Sequence, residues 1–339
     1  MKFTEFELGQ ADYGSSDAGF VIHHFLQRLD DTFNQSSQKN FTDFFKKNKD
    51  ISKWMIFSDY AFGDRNKPND VITFSILPYS TDFFKLSEYI DELSFKDIKR
   101  LKRVNKEFIE FVDNSEILNI SIILPKKWAL DPFNESKALE TRYKLAINQV
   151  KYWISNEGDK PYYKSLLSIY STLLEEVMKP RPNLKAVRNI EVVSSLAAYF
   201  TYQVCLVSDV DIIGWFSDRD PMLSYKLSSF NKPVIFDLVK NNFHNYMYNS
   251  KGDYKEKFVF GLPEDKGRVW YDSYNRIPDL IAATIADFDL EKNECSHPKF
   301  VPVIDKIIVN MPYCMVFKIF YGNNEYSSAL LTFGHPDGS

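Results

Sequence analysis

Two apolar runs of this sequence end in the same tripeptide, Phe-Ser-Asp. They are residues 54–59 and residues 212–218, and each is long enough for one buried β-strand. A strand whose side chains are nearly all apolar needs cover on both faces, which helices supply in α/β folds. The acids, by contrast, belong at strand ends that meet solvent. The repeated pattern therefore predicts an α/β sheet in which these two strands are neighbours.

A third acidic segment, residues 277–287, has helical character and carries an aspartate near each end. Its first acid, Asp279, follows a proline, a position that also favours the helix dipole, just as an aspartate after a strand commonly caps a turn. If Asp59, Asp218 and Asp279 converge, they supply oxygen ligands from three separate elements, as a hard divalent cation requires. The pattern leaves two interpretations, structural caps or a metal site, and we expect Asp279 on a helix beside the two strands.

The composition excludes several classes of protein. Of the 339 residues, 44% are hydrophobic and 16% aromatic, which is ample for a sizeable core. The net charge of −4 gives no overall attraction to nucleic acid or anionic lipid, so such binding would need a local patch. No Walker loop, dinucleotide-binding glycine motif or serine-hydrolase motif is present in the sequence.

Cysteine usage and hydropathy bear on the compartment. The three cysteines are widely spaced, which favours a reducing environment over a disulfide framework. Residues 1–7 contain acids where a secretory signal needs an apolar core, and residues 192–207 are too interrupted by polar side chains for a membrane span. We therefore predict a soluble, cytoplasmic protein without a membrane partner.

Hydrophobic periodicity divides the chain into a helical start and a long mixed region. We predict an N-terminal helical extension at residues 1–50, with a helix at 20–33 and a polar linker at 34–50. Residues 51–339 form the predicted α/β domain, with a helical insertion at about 135–207.

Further elements of the α/β domain follow from strand alternation, helical spacing and turn residues. The predicted strands are 53–60, 71–79, 118–124, 211–216 and 257–262, and the predicted helices are 82–93, 95–112, 225–248 and 274–288. The tail at 306–332 has β-rich runs at 307–309 and 315–321, so it is predicted to form a terminal hairpin.

A basic stripe lies in the predicted helix at 95–112, opposite its apolar residues. Lys99, Arg103 and Lys106 would contact nucleic-acid phosphates if the stripe is functional. The other interpretation is a solvated helix face, the commoner role of such charge patterns.

The chain resembles the ribonuclease H-like superfamily, and more particularly an uncharacterised prokaryotic branch of it. The resemblance rests on Phe57-Ser58-Asp59, Trp215-Phe216-Ser217-Asp218 and Pro278-Asp279-Leu280-Ile281-Ala282, and spans about residues 51–290. The fold normally begins with three antiparallel strands, whereas two are predicted here before the first helix. The branch also tends to place polar residues and glycine directly after the first acid, where this chain has Tyr60-Ala61-Phe62.

The resemblance implies a ribonuclease H-like mixed sheet flanked by helices. It also implies a nuclease that uses Mg²⁺ or Mn²⁺ to hydrolyse phosphodiester bonds of DNA or RNA, in a prokaryotic defence or mobile-element setting. Asp59 would bridge two metal ions, with Asp218 or Asp220 and Asp279 completing the ligand set.

Two alternatives remain open at this point. A fourth carboxylate could come from Glu88, Asp91 or Glu92 on the first helix of the domain. The rival function is a non-catalytic protein-interaction subunit on the same fold, which binds a partner protein through its aromatic-rich surfaces.

Overall fold

A computed structural model describes residues 17–80, 82–94, 98–131, 133–226, 233–251, 255–262, 267–322 and 325–334. Within these residues a seven-stranded sheet is flanked by helices on both faces, so the predicted α/β class is confirmed. The strands are β1 (Lys53–Ala61), β2 (Asp70–Pro78), β3 (Leu118–Leu124), β4 (Ile212–Ser217), β5 (Lys257–Gly261), β6 (Phe288–Asp289), β7 (Glu294–Cys295), β8 (Cys314–Gly322) and β9 (Glu325–Leu331).

The main sheet is mixed, and β1 is one of its interior strands. Its strand order is β5-β4-β1-β2-β3-β8-β9, while β6 and β7 form a separate short pair. Strands β1, β2 and β3 are consecutively antiparallel. On the other side of β1, β4 and β5 run parallel to it, and at the far edge β8 is parallel to β3. The predicted terminal hairpin is confirmed as the antiparallel pair β8–β9.

The helices occupy the two faces of the sheet in unequal numbers. They are α1 (His24–Ser36), α2 (Gln38–Lys47), α3 (Phe83–Leu93), α4 (Lys106–Asn114), α5 (Glu135–Glu157), α6 (Pro161–Val177), α7 (Leu184–Val207), α8 (Ile235–Lys251) and α9 (Arg276–Asp287). The larger core lies between the sheet and α1, α2 and α5–α8, and the smaller core between the sheet and α3, α4 and α9. Helices α5–α7 occupy the predicted helical insertion between β3 and β4.

Alternation along β1 sends its side chains into both cores. Trp54 and Ile56 point into the larger core, whereas Met55 and Phe57 point into the smaller one. This is the period of two that a strand imposes. An odd-numbered residue near the end of β1 therefore faces α9, which packs against β1 and β2.

The N-terminal region contains a second helix that the sequence prediction missed. The polar linker predicted at 34–50 is wrong, because α2 occupies most of it. Phe41, Phe44 and Phe45 lie at helical spacing and are all buried under the sheet. Abundant lysine and asparagine on the solvent face concealed this apolar stripe.

Three other predicted elements differ from the structure. The helix at 95–112 is wrong: residues 98–100 form a 3₁₀ turn, and α4 begins only at Lys106, where Asn105 accepts the N–H of Glu107 at 3.0 Å. Residues 95–97 lie outside the described residues.

The helix predicted at 225–248 begins only at Ile235, after a proline, and residues 227–232 of the predicted range also lie outside the described ones. The β-run at 307–309 is wrong because Ile304–Ile308 forms a π-helical turn with buried isoleucines.

Helix α7 is the central helix of the larger core. By length and hydropathy alone it could cross a membrane, but 89% of its most apolar window is buried inside the fold. A helix that is apolar on all sides is expected at such a position in a large core.

A buried ionic network, which we call the α5–α7 network, fixes the N-terminal segment to two core helices. The Nε of Arg142 on α5 lies 3.1 Å from Glu191 Oε2 on α7, and His23 Nε2 lies 2.9 Å from the same oxygen. Tyr143 Oη donates to Glu191 Oε1 at 2.9 Å. Although burial opposes the charge, Arg142 and these donors hold the pKa of Glu191 at about 2. Burial and the nearby Arg142 charge lower the pKa of His23, so it acts as a neutral donor.

Candidate carboxylate site at the end of two parallel strands

The two Phe-Ser-Asp segments are adjacent in the sheet, as predicted. Strands β1 and β4 pair in parallel with Phe57 opposite Phe216 and Ser58 opposite Ser217. The backbone N–H of Asp218 then donates to Ser58 O at 2.8 Å. Since parallel strands end at the same edge of the sheet, Asp59 and Asp218 lie side by side at that edge.

The repeated serines have a structural role on the face opposite the acids. Tyr60 Oη lies 2.8 Å from Ser58 Oγ and 2.8 Å from Ser217 Oγ, so one hydroxyl links the two strands. Trp215 Nε1 also donates to Ser58 Oγ at 3.0 Å. These serines are buried on the side of the larger core, and alternation therefore turns the flanking phenylalanines and Asp59 towards α9.

Two glycines create the space for the Phe216 ring. An added Cβ at Gly214 or at Gly261 would lie 2.5 Å from a Phe216 ring carbon, so the ring lies directly over both glycines. The same ring contacts Trp270 and Tyr271, with centroids 4.8 and 5.4 Å away. Phe216 thus holds the segment that leads into α9 close to the end of β4.

Asn275 connects this segment to β4 by hydrogen bonds. With its amide oriented to satisfy both groups, its nitrogen donates to Phe216 O at 3.0 Å and its oxygen accepts the N–H of Asp218 at 3.2 Å. Asp279 lies one turn further on, in the first turn of α9, where its N–H donates to Asn275 O at 3.1 Å. The predicted position of Asp279, on a helix beside the two strands, is confirmed.

The charges of the three predicted acids interact. Burial, followed by the negative charges of Asp279 and Asp218, raises the pKa of Asp59 well above its ordinary range, while Lys99 opposes the shift. Burial also raises the pKa of Asp220, with Asp218 adding to the effect and Lys99 and Lys185 opposing it. A cluster of like charges that favours protonation is a feature of functional sites more often than of structural caps.

A cleft of about 330 Å³ opens beside Asp218 and Asp279, whereas Asp59 and Asp220 are not among its lining residues. Its lining alternates acidic and basic side chains around one amide: Asp91, Asp218, Arg219, Arg268, Asp272, Asn275, Arg276 and Asp279. Ion pairs cross it, with Arg219 Nη1 3.1 Å from Asp272 and Arg276 Nη1 3.9 Å from Asp279, and with Arg268 bonded to Asp91. The structure therefore places Asp91, of the three acids considered on α3, in the cleft.

The three predicted nucleic-acid-binding cations do not share a helix face. Lys99 is in the 3₁₀ turn, and its charge acts on Asp59 and Asp220. Lys106 begins α4 and pairs with Glu110 at 3.4 Å, while Arg103 is exposed between these two elements. Lys99 is thus the member of the predicted stripe whose charge reaches the carboxylates.

The donor chemistry of the site suits a hard divalent cation, because its acids supply carboxylate oxygens from β1, β4 and α9. The arrangement is not a preassembled ligand cage. Among the described residues, no group of three or more His, Cys, Asp or Glu side chains is close enough together to hold a metal ion. A cation bound here would have to draw the carboxylates together.

Comparison with models of protein families, with curated proteins and with solved structures finds no significant match to this chain. The assignment of the site consequently rests on its geometry.

Several side chains of the cleft escaped sequence analysis. Arg219 lies between the two acids of Asp218-Arg219-Asp220, and Asn275 directly precedes α9, so both signals were present in the sequence. The segment containing Arg268 and Asp272 has no motif of its own. Its position depends on Phe216 and the glycines beneath it, which is tertiary information.

Proposed function

We propose that this protein is a divalent-cation-dependent nuclease of the ribonuclease H-like type, acting on phosphodiester bonds of DNA or RNA. The observation that carries the proposal is geometric: the parallel pairing of β1 with β4, together with the packing of α9 against β1, collects Asp59, Asp218 and Asp279 at one edge of the sheet. Like charges collected on three elements destabilise one another unless a proton or a cation neutralises them. A bound Mg²⁺ or Mn²⁺ would neutralise the negative charges of these carboxylates.

The topology supports the ribonuclease H-like assignment. A fold of that type begins with three antiparallel strands, and β1, β2 and β3 are consecutively antiparallel. Helices α3 and α4 lie between β2 and β3, which explains why only two strands precede the first helix. The acids lie on the interior strand β1, directly after the end of its parallel neighbour β4, and on a helix packed against β1.

Each side chain of the site has a defined place in the proposed reaction. Asp59, Asp218 and Asp279 would hold the cation, which when bound supplies Lewis-acid activation of the phosphate and of water. One carboxylate oxygen of Asp220 accepts the N–H of Met222 at 2.9 Å, so Asp220 would contribute negative charge beside the other acids. Lys99 would contact a phosphate of the substrate beside these acids.

The rival function is a non-catalytic interaction subunit, and one observation favours it. The cleft arginines are already paired with acids, and the described residues contain no ready metal-ligand group. In that case the carboxylates would serve to position the arginines at a surface recognised by a partner protein.

The proposed location is a reducing, cytoplasmic compartment. All three cysteines are thiols and not disulfides, and Cys205 is buried in the larger core. Burial raises the pKa of Cys295 and of Cys314 to about 12, which keeps both as poorly reactive thiols.

The direct test combines cation binding with cleavage. Purified protein is incubated with single-stranded DNA, duplex DNA, RNA and RNA–DNA hybrid in Mg²⁺, Mn²⁺ or EDTA, and Mn²⁺ binding is measured by calorimetry. We expect cleavage of at least one substrate with a divalent cation and none with EDTA. Absence of both cleavage and Mn²⁺ binding would refute the nuclease and leave the interaction subunit.

Lys99→Gln is expected to reduce the salt dependence of nucleic-acid binding. Loss of one phosphate contact should lower the slope of log K against log salt by roughly 0.7–0.9, because fewer counterions are released. Lys106→Gln is the matched control, since Lys106 lies in α4 and not in the 3₁₀ turn, where the charge of Lys99 acts on Asp59 and Asp220. Equal slopes for wild type and Lys99→Gln in filter-binding titrations would show that Lys99 makes no phosphate contact.

A further inference from the structure

An exposed group of aromatic side chains adjoins the cleft, and we call it the aromatic platform. It consists of Tyr79, Phe84 and Trp270, which are 46%, 70% and 47% exposed and are gathered around the buried Phe83. The Phe83 ring centroid lies 5.6 Å from that of Tyr79, 5.7 Å from Phe84 and 4.9 Å from Trp270. Each of the three exposed rings therefore packs against the same buried ring.

The platform has a rigid foundation. The ring of Phe83 stacks on Tyr274 at 4.5 Å and 9°, and Tyr274 stacks on Phe57 of β1 at 4.9 Å and 11°. Tyr274 Oη also donates to Phe83 O at 2.6 Å. Because this stack ends on β1, an interior strand of the sheet, the exposed rings are fixed relative to Asp59, two residues further along β1.

The platform is continuous with the cleft through Trp270. Its ring centroid lies 4.8 Å from that of Phe216, which precedes Asp218 by two residues. Arg268 and Asp272, on either side of Trp270 in sequence, both line the cleft. Trp270 therefore lies between two residues of the cleft lining in the chain.

Cations border the exposed rings. Arg268 is 60% exposed and pairs with Asp91, while it also donates to Ser273 Oγ at 2.7 Å. Lys85, next to Phe84, is 82% exposed and pairs with Asp82. Exposed ion pairs of this kind contribute little to stability, so a phosphate can replace the acid at small cost. Exposed aromatic faces beside cations are the combination that binds bases and backbone of single strands.

We propose that the aromatic platform binds unpaired bases of a single-stranded nucleic acid whose backbone enters the carboxylate cleft. This inference rests on the proposed function and specifies its substrate: a duplex keeps its base faces stacked inside, whereas a single strand can place them on Trp270 and Phe84. The cations Arg268 and Lys85 then lie beside the phosphates of the same strand.

The test measures binding of a fluorescein-labelled 12-nucleotide oligothymidylate in EDTA, where no cleavage occurs, against an abasic strand of the same length and charge. Wild type should prefer the base-containing strand, and Trp270→Ala/Phe84→Ala should bind it at least about 10-fold more weakly. Phe133→Ala, which removes a ring of 75% exposure that is not part of the platform, is the matched control and should bind like wild type. Oligothymidylate should also quench tryptophan fluorescence in wild type and less in Trp270→Phe.

The outcomes separate this inference from the proposed nuclease. Equal affinity of wild type and the double variant, or equal affinity for the two strands, would overturn the platform even if cleavage depends on Asp59. Failure of wild type to bind the oligonucleotide would likewise overturn it, in favour of a protein-contacting surface. Base-dependent binding lost in the folded double variant supports the platform, even where no substrate is cleaved.

Discussion

Asp59→Asn is expected to reduce cleavage by more than about 100-fold, since loss of even an outer partner of a metal ligand costs 10–100-fold. The amide keeps the volume of the carboxylate but removes the charge that would hold the cation. Single-turnover cleavage in Mn²⁺ measures the loss of activity, and calorimetry measures the accompanying loss of Mn²⁺ binding.

The same substitution is expected to increase the free energy of unfolding at neutral pH without added cation. Burial and the charges of Asp279 and Asp218 raise the pKa of Asp59 in the folded state. A carboxyl group with a raised folded pKa destabilises the protein as pH rises through that pKa, and has no such effect below its unfolded value. Asparagine does not titrate, so the stability gain should grow from acidic to neutral pH in urea-unfolding series.

Asp211→Asn is the matched control for both measurements. Asp211 is exposed just before β4, at the opposite end of that strand from Asp218. It accepts a hydrogen bond from Ser52 Oγ at 2.8 Å. It should change neither cleavage nor Mn²⁺ binding. A folded Asp59→Asn protein with wild-type activity would assign the chemistry elsewhere, and an unfolded one would make Asp59 a structural cap.

Arg142→Met is expected to lower the free energy of unfolding by about 3–5 kcal/mol. The substitution leaves Glu191, which is 1% exposed, as a buried charge with only His23 and Tyr143 as partners. Glu140→Gln on the same helix is the control, because the surface pairs of Glu140 with Lys137 and Lys144 should contribute little to stability.

A second variant tests whether the unpaired charge of Glu191 causes the loss of stability. Arg142→Met/Glu191→Gln removes both charges and should be less destabilised than the sum of the single variants, by denaturant unfolding. Additive losses would show that Arg142 stabilises the fold through its packing and its hydrogen bond to Val21 O, independently of the Glu191 charge.

The α5–α7 network also predicts how stability depends on pH. The lowered pKa of His23 means that stability is complete above its ordinary value of 6.5 and decreases as pH falls, because the unfolded state binds the proton first. The pKa of Glu191, about 2, adds a second decrease below its ordinary value of 4.5. The decrease that Glu191 causes at low pH should be absent when the free energy of unfolding of Glu191→Gln is measured against pH.

Strand-level predictions succeeded where local pattern and tertiary environment agree. The apolar runs ending at Asp59 and Asp218 are buried on both faces, so their composition alone identified two neighbouring strands and the end at which the acids meet. Asp279 could be placed on a helix because Pro278 and the apolar residues after it mark a helix start.

Predictions failed where a local capping group or a proline decided the outcome. Asn105 caps α4, so the basic stripe is divided between a turn and a helix, and Lys99 is separated from Lys106. The isoleucines at 304–308 have β propensity, yet burial on one side of a π-helical turn determined their conformation. The cleft itself could not be predicted, because Arg268 and Asp91 meet only through long-range packing.

The ring of Phe216 and the two glycines beneath it act as one unit, which has a consequence for sequences related to this one by descent. An added Cβ at Gly214 or Gly261 would lie 2.5 Å from that ring, so a methyl group at either position requires a smaller side chain at 216. In an alignment, positions 214, 216 and 261 should therefore covary. That covariation would mark homologues that keep the geometry of this edge even after their carboxylates have been replaced.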